Sequence, residues 1–121
     1  IERKINTAFV SILRKEGAQK AIEFYKKQKS MNAKTLLFTE RQINSLGYEY
    51  LRNNLTDEAI ILLQFNVEEF PASANVYDSL GEAYMKKGKT ALAIANYNKS
   101  LVLDPTNENA KTMLEKLEKN K

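Results

Sequence analysis

Residues 74–107 read ANVYDSLGEAYMKKGKTALAIANYNKSLVLDPTN, and the 34 residues before them, 40–73, read ERQINSLGYEYLRNNLTDEAIILLQFNVEEFPAS. Laid over one another, the two stretches share eight identities. Chance, at about 6% per position, gives about two. Leu46, Gly47 and Tyr50 recur as Leu80, Gly81 and Tyr84, Ala59 and Ile60 as Ala93 and Ile94, and Pro71 as Pro105, with Ile43 or Tyr77 ahead of each set. In the later stretch Tyr77, Leu80 and Tyr84, then Ala93, Ile94, Tyr97 and Leu101, follow the three-and-four spacing that lays an apolar stripe along one side of a helix. Lys87, Gly88 and Lys89 interrupt the stripe, so each stretch reads as two helices. A mid-helix Gly costs about 1 kcal/mol relative to Ala, so the recurrence of Gly81 predicts a neighbouring helix close to its backbone, and Ala93 carries the same logic from the facing helix. Each Pro falls where the second helix must stop. Thr39 with Gln42 has capping-box spacing, and Thr56, Ser73 and Thr106 are N-cap candidates for the later helices.

These residues resemble the tetratricopeptide repeat, a helix-turn-helix unit of 34 residues. The match in 74–107 runs through Tyr77, Leu80, Gly81, Tyr84, Gly88, Ala93, Tyr97 and Pro105. In 40–73, Leu63 stands for the aromatic and Asn54 for the inter-helix Gly, which Asn replaces because it also accepts left-handed geometry. Upstream, Ala21, Ile22 and Tyr25 look like the second helix of a third unit, 38 residues before the next Ala-Ile pair, which implies a four-residue insertion near Ser30 to Leu37. The resemblance implies an all-α, right-handed α-solenoid of about seven antiparallel helices in one domain: a degenerate N-terminal helix pair over 1–39, repeats at 40–73 and 74–107, and a capping helix over 108–121. Leu46, Tyr50, Ala59, Leu80, Tyr84, Ala93 and Tyr97 should be buried in it.

The rest of the chain agrees with a folded helical domain. Of its 121 residues, 43% are hydrophobic and 28% charged, with four Gly, two Pro, no Cys and no His. The lack of His and Cys removes the usual nucleophile-base pairs and thiolate metal sites, and no Ser is followed three residues on by Lys, so neither catalysis nor a cofactor is expected. Adjacent acids, Asp57 with Glu58 and Glu68 with Glu69, diverge on a helix and do not converge on one metal. No uncharged run approaches the length of a membrane span. Residues 1–39 carry nine Lys and Arg against three acids, and 40–73 carry two against six. The basic excess, Lys20, Lys26, Lys27, Lys29 and Lys34, lacks interleaved aromatics and reads as a solvated helix face, which disfavours nucleic acid as a partner. Ile1 is not an initiator Met, so the chain reads as a piece or processed product of a longer one.

The expected function is non-catalytic protein interaction. Stacked helix pairs turn the first helix of each unit toward a concave face, which places Arg41, Asn44, Tyr48 and Arg52 of one unit and Asn75, Asp78, Glu82 and Lys86 of the next on one groove for a peptide or partner helix. The bland reading is a solvated polar face, against which Tyr48 and Leu51 stand. Tetratricopeptide domains that grip a C-terminal carboxylate use Lys and Asn at positions held here by Asn44, Tyr48, Asp78 and Glu82, so that clamp is not expected. The chain is also similar, through Gly17 to Tyr25, Leu46 to Tyr48, Asn66 to Pro71 and Val76 to Pro105, to the tail that follows the catalytic domain in some bacterial serine hydrolases of the beta-lactamase-like class. That resemblance implies an alternative, a regulatory or stabilising tail docked on its own upstream domain, in the periplasm or outside the cell, and otherwise a cytoplasmic module. The first helix, apolar through Phe9, Val10 and Leu13 over much of its circumference, either meets that domain or packs on both sides within this chain. The final helix, with one stripe of Ala110, Met113, Leu114 and Leu117, reads as a polar cap.

Overall fold

Periodicity of three and four dominates the sequence, and helices follow throughout. The computed structural model describes residues 2–31 and 38–119, and among these there are seven α-helices and no strand. They are α1 (Glu2–Glu16), α2 (Ala18–Met31), α3 (Glu40–Arg52), α4 (Thr56–Glu69), α5 (Ala74–Lys87), α6 (Thr90–Leu103) and α7 (Glu108–Lys119). Consecutive helices pair as α1 with α2, α3 with α4 and α5 with α6, and the pairs stack through α2 on α4, α4 on α5 and α3 on α5, with α7 closing the far end on α6. The insertion assigned near Ser30 to Leu37 falls mostly outside the described residues.

The repeat is written in hydrogen bonds as well as letters. In the α3–α4 turn, Asn54 N–H donates to Leu51 O at 3.1 Å and Leu55 N–H to Tyr50 O at 2.9 Å; in the α5–α6 turn, Gly88 N–H donates to Met85 O at 3.0 Å and Lys89 N–H to Tyr84 O at 2.9 Å. Both are Schellman closures, which need a left-handed residue, supplied by Asn54 at φ 63° and Gly88 at φ 84°. Each pair is then tied at its other end: Asn66 Nδ2 donates to Glu40 O at 3.0 Å, and Ser100 Oγ, at the equivalent position, to Ala74 O at 2.8 Å.

Close helix crossings fix the packing. A Cβ on Gly81 would sit 3.1 Å from three ring atoms of Tyr97, and a Cβ on Gly47 would sit 2.5 Å from a methyl of Leu63, the residue that replaces the aromatic. Ala59, Leu80, Tyr84, Ala93 and Tyr97 are buried as expected. Leu46 and Tyr50 are only partly buried, because α1 does not lie along α3 as α3 lies along α5.

In the first pair the broad apolar face of α1 is taken up mostly within the chain. Phe9 and Leu13 are 1% and 2% exposed, and Val10 is the one of the three that stays partly exposed. Phe9 is covered by Phe38, just ahead of the α3 cap. Its ring lies 4.9 Å from Phe9 edge to face and 6.0 Å from Tyr25 in a stacked arrangement, while Phe65 of α4 meets Tyr25 at 4.9 Å. An aromatic core thus takes up the apolar breadth of α1 from within the chain.

Charge joins the first two pairs. Lys26 and Lys29 of α2 reach Glu68 and Glu69 of α4 at 3.4 and 2.9 Å, so part of the basic face expected to be solvated is paired. Asp57 meets Lys87, and Glu58 accepts from the first N–H of α2, Ala18 N, at 2.5 Å. The adjacent acids therefore diverge to four separate partners, and among the described residues no cluster of metal-ligating side chains occurs. Glu58→Ala, which leaves that helix start uncapped, should lower stability by about 1 kcal/mol, read as a shift in the urea midpoint.

Helix starts follow the sequence in part. Thr39 and Gln42 form the reciprocal capping box, with bonds of 3.1 and 2.9 Å. Ser73 is the N-cap of α5 but its hydroxyl makes no capping bond, and the Schellman closure puts Leu55, not Thr56, at the N-cap of α4. Before α7 the cap moves from Thr106 to Asn107, whose Oδ1 accepts from Ala110 N–H at 3.2 Å, while Thr106 is held by Asp104.

Candidate functional site

The eight residues expected on one groove belong to the adjacent helices α3 and α5. Tyr48 and Glu82 meet there: the Tyr48 hydroxyl donates to Glu82 Oε1 at 3.4 Å, and both side chains are half-buried. Lys86 Nζ donates to the carbonyl of Leu51, so it closes the C-terminal end of α3 as well as facing solvent. Arg41, Arg52 and Asn75 are exposed, and among the described residues the side chain of none of them bonds to the side chains of the other five. Asn44 is half-buried, and its Oδ1 is shielded with no partner among the described residues.

Asp78 departs from expectation. It is 9% exposed, and its two carboxylate oxygens accept from Asn107 Nδ2 at 2.8 Å and Asn109 Nδ2 at 2.7 Å. Asn107 also donates to Ser100 Oγ at 2.9 Å while capping α7. Asp78 thus fastens the capping helix to α5 instead of presenting a free carboxylate.

Burial shifts the titratable groups around Tyr48 and Glu82. Burial pushes the Glu82 carboxyl above the usual range, the neighbouring Asp78 charge adds to this, and the Tyr48 bond opposes it. Burial likewise raises the Tyr48 phenol, and raises Tyr97 further, with Asp78 and Glu82 adding. The Tyr97 hydroxyl is buried with no partner among the described residues. A raised carboxyl pKa means that the folded state holds its proton more tightly than the unfolded state does. Stability contributed through Glu82 is therefore present below the ordinary carboxylate range and falls as pH rises through the raised folded value. Glu82→Gln should flatten this fall and raise stability at pH 7 by less than about 1 kcal/mol for a half-exposed group, read as a small rise in melting temperature. An unchanged pH profile would remove the desolvation assigned to this site.

On the α1 side of α3, where Arg41 and Arg52 of the expected groove stand, a furrow of about 750 Å³ bordered by Val10, Arg14, Lys15 and Gln42 runs into a second of about 500 Å³ that shares Val10 and Gln42 and adds Phe38, Arg41, Leu46, Glu49 and Arg52. The sequence reading did not assemble these residues. Its signals were the four-residue insertion and the broad apolar face of α1, which together predict irregular packing at this junction.

Comparison with known proteins agrees with the geometry. Residues 81–111 match the family model described as TPR repeat. The chain is 32% identical over 68 residues to the tetratricopeptide repeat domain-containing protein PYG7, chloroplastic, of Arabidopsis thaliana, which covers 56% of this chain and 23% of that protein. The chain spans less than a quarter of the length of the curated relatives it matches. In structure it is similar to the first TPR domain of human RPAP3, with a TM-score of 0.65 and 18% identity over 98% of this chain and 90% of that one. It is equally similar, at a TM-score of 0.65 and 18% identity over 98% and 91% of the two chains, to the first TPR of Spaghetti (RPAP3) bound to the HSP90 peptide SRMEEVD. With the repeat carried in its letters and its hydrogen bonds, and matched by the family model over residues 81–111, the chain carries the tetratricopeptide repeat and has the right-handed α-solenoid fold of tetratricopeptide-repeat domains.

Proposed function

We propose that this domain is a protein-interaction module whose concave face, built by α3 and α5, receives a peptide or a partner segment. The observation that carries the reading is the Tyr48–Glu82 contact, which joins two first helices into one surface of aromatic, polar and charged groups. Tetratricopeptide-repeat domains mediate protein–protein interaction, and the Spaghetti neighbour holds an HSP90 peptide. Tyr48, Asp78 and Glu82 stand where a carboxylate clamp uses Lys and Asn, and no Lys is among the four positions, so the partner here is recognised by other chemistry. The test is a random peptide library displayed on phage and selected on the folded domain. Tyr48→Ala should weaken the recovered peptides about tenfold, as loss of a central aromatic contact does, whereas Lys119→Ala on α7 should leave them unchanged. Equal effects of the two would remove the site.

On this reading the domain does no chemistry of its own, and the purified fragment should hydrolyse neither esters nor beta-lactams. Turnover that survives stringent purification would overturn that. A second reading, docking on an upstream hydrolase domain in the bacterial periplasm or cell exterior, is favoured only by the partial exposure of Val10, since Phe9 and Leu13 lie inside the chain.

A further inference from the structure

We propose that the furrow between α1 and α3 docks an acidic protein segment carrying large apolar side chains. The inference rests on the interaction-module reading and adds the chemistry of the partner. The floor of the furrow is apolar, made by Val10, Leu46 and Phe38, and the chain covers the first two only partly. Its rim is cationic: Arg14 and Lys15 on α1 and Arg41 and Arg52 on α3 stand against a single acid, Glu49. All four cations are exposed. Ion pairs among the described residues engage Lys26, Lys29, Lys87 and Lys111 instead. The basic face of α2 is thus partly neutralised by α4, whereas the rim of the furrow is left with a net positive charge that an acidic segment complements.

The repeat shows what is missing there. At the α3–α5 junction, Lys86 reaches back to the carbonyl of Leu51 and locks the two helices together. Arg52 holds the equivalent position on α3, 34 residues earlier, yet makes no hydrogen bond to α1 among the described residues. Its guanidinium remains available to a carboxylate of a partner, in the bidentate geometry that Arg favours. Nucleic acid fits less well. The floor offers aliphatic surface and a buried Phe38 where base stacking needs exposed rings. The 15 residues of α1 span about 22 Å, a length that about seven residues of extended chain cover.

The experiment uses random peptides of about twelve residues, long enough to cross the furrow and reach the α3–α5 face, displayed on phage and selected on the folded domain. Recovered peptides should combine Asp or Glu with Leu, Phe or Met. Their affinity should drop about tenfold on an Arg14→Gln/Lys15→Gln variant, and should fall with rising salt. Both residues are exposed, and an unchanged helical circular dichroism spectrum shows that the variant is folded. Neutral or basic peptides, or affinities indifferent to that variant, overturn the furrow. If such peptides still weaken on Tyr48→Ala, the α3–α5 reading survives without it, and the reverse pattern keeps the furrow and removes the α3–α5 face. Displacement of the peptides by a single-stranded oligonucleotide overturns the assignment to an acidic protein. A selection that recovers no binder overturns both readings.

Discussion

Tyr97→Ala should lower the stability of this domain by about 3 to 5 kcal/mol, the range for deleting a buried aromatic, and its melting temperature by about 12 to 20 °C at this chain length. Tyr97 is fully buried and its ring lies over the bare backbone of Gly81. Tyr97→Phe should do the opposite. It keeps the ring and removes a buried hydroxyl that has no hydrogen-bond partner among the described residues, so stability should hold or rise by up to about 1 kcal/mol. Chemical denaturation of the two variants, with Val102→Ala at a site 73% exposed as control, checks both signs. A Phe variant that loses as much as the Ala variant would mean that the hydroxyl is bonded.

Gly47→Ala is the second large effect. Alanine is the better helix former by about 1 kcal/mol, yet its Cβ would fall 2.5 Å from Leu63 Cδ2 and 2.7 Å from Leu63 Cγ. Leu63 is wholly enclosed and cannot swing aside, so overpacking should win and leave a net loss of about 1 to 3 kcal/mol. In a Leu63→Ala background the clash is gone and the same substitution should become stabilising. That change of sign in a double-mutant cycle is the signature of a direct steric pair. Additive effects would place Gly47 away from the α3–α4 crossing.

Much of the helical architecture could be read because the repeat constrains the same positions twice. The recurrence of Gly47 as Gly81 announced the close crossings, and Asn54 opposite Gly88 announced a left-handed turn residue. Thr39 with Gln42 announced a cap, because all its partners lie within one turn. Periodicity could not supply contacts between distant, non-repeating residues. Phe38 lies ahead of a helix, with no periodic spacing to mark it, and only the folded chain shows it packed on Phe9 and Tyr25. Asp78 reads as one more polar residue on α5, because Asn107 and Asn109, which consume its carboxylate, lie beyond the Pro105 turn. The site was legible to the same degree. Tyr48 and Glu82 share a surface because equivalent helices lie side by side, while the furrow arises where the repeat is broken and spacing arguments stop.

Recognition through the first helices of the units has one direct measurement, amide chemical-shift mapping of the isotope-labelled domain with a peptide recovered from the displayed library. The shifts should gather on α1, α3 and α5, at Val10, Asn44, Tyr48 and Glu82. Shifts confined to the exposed side of α6, around Leu92 and Val102, would contradict it.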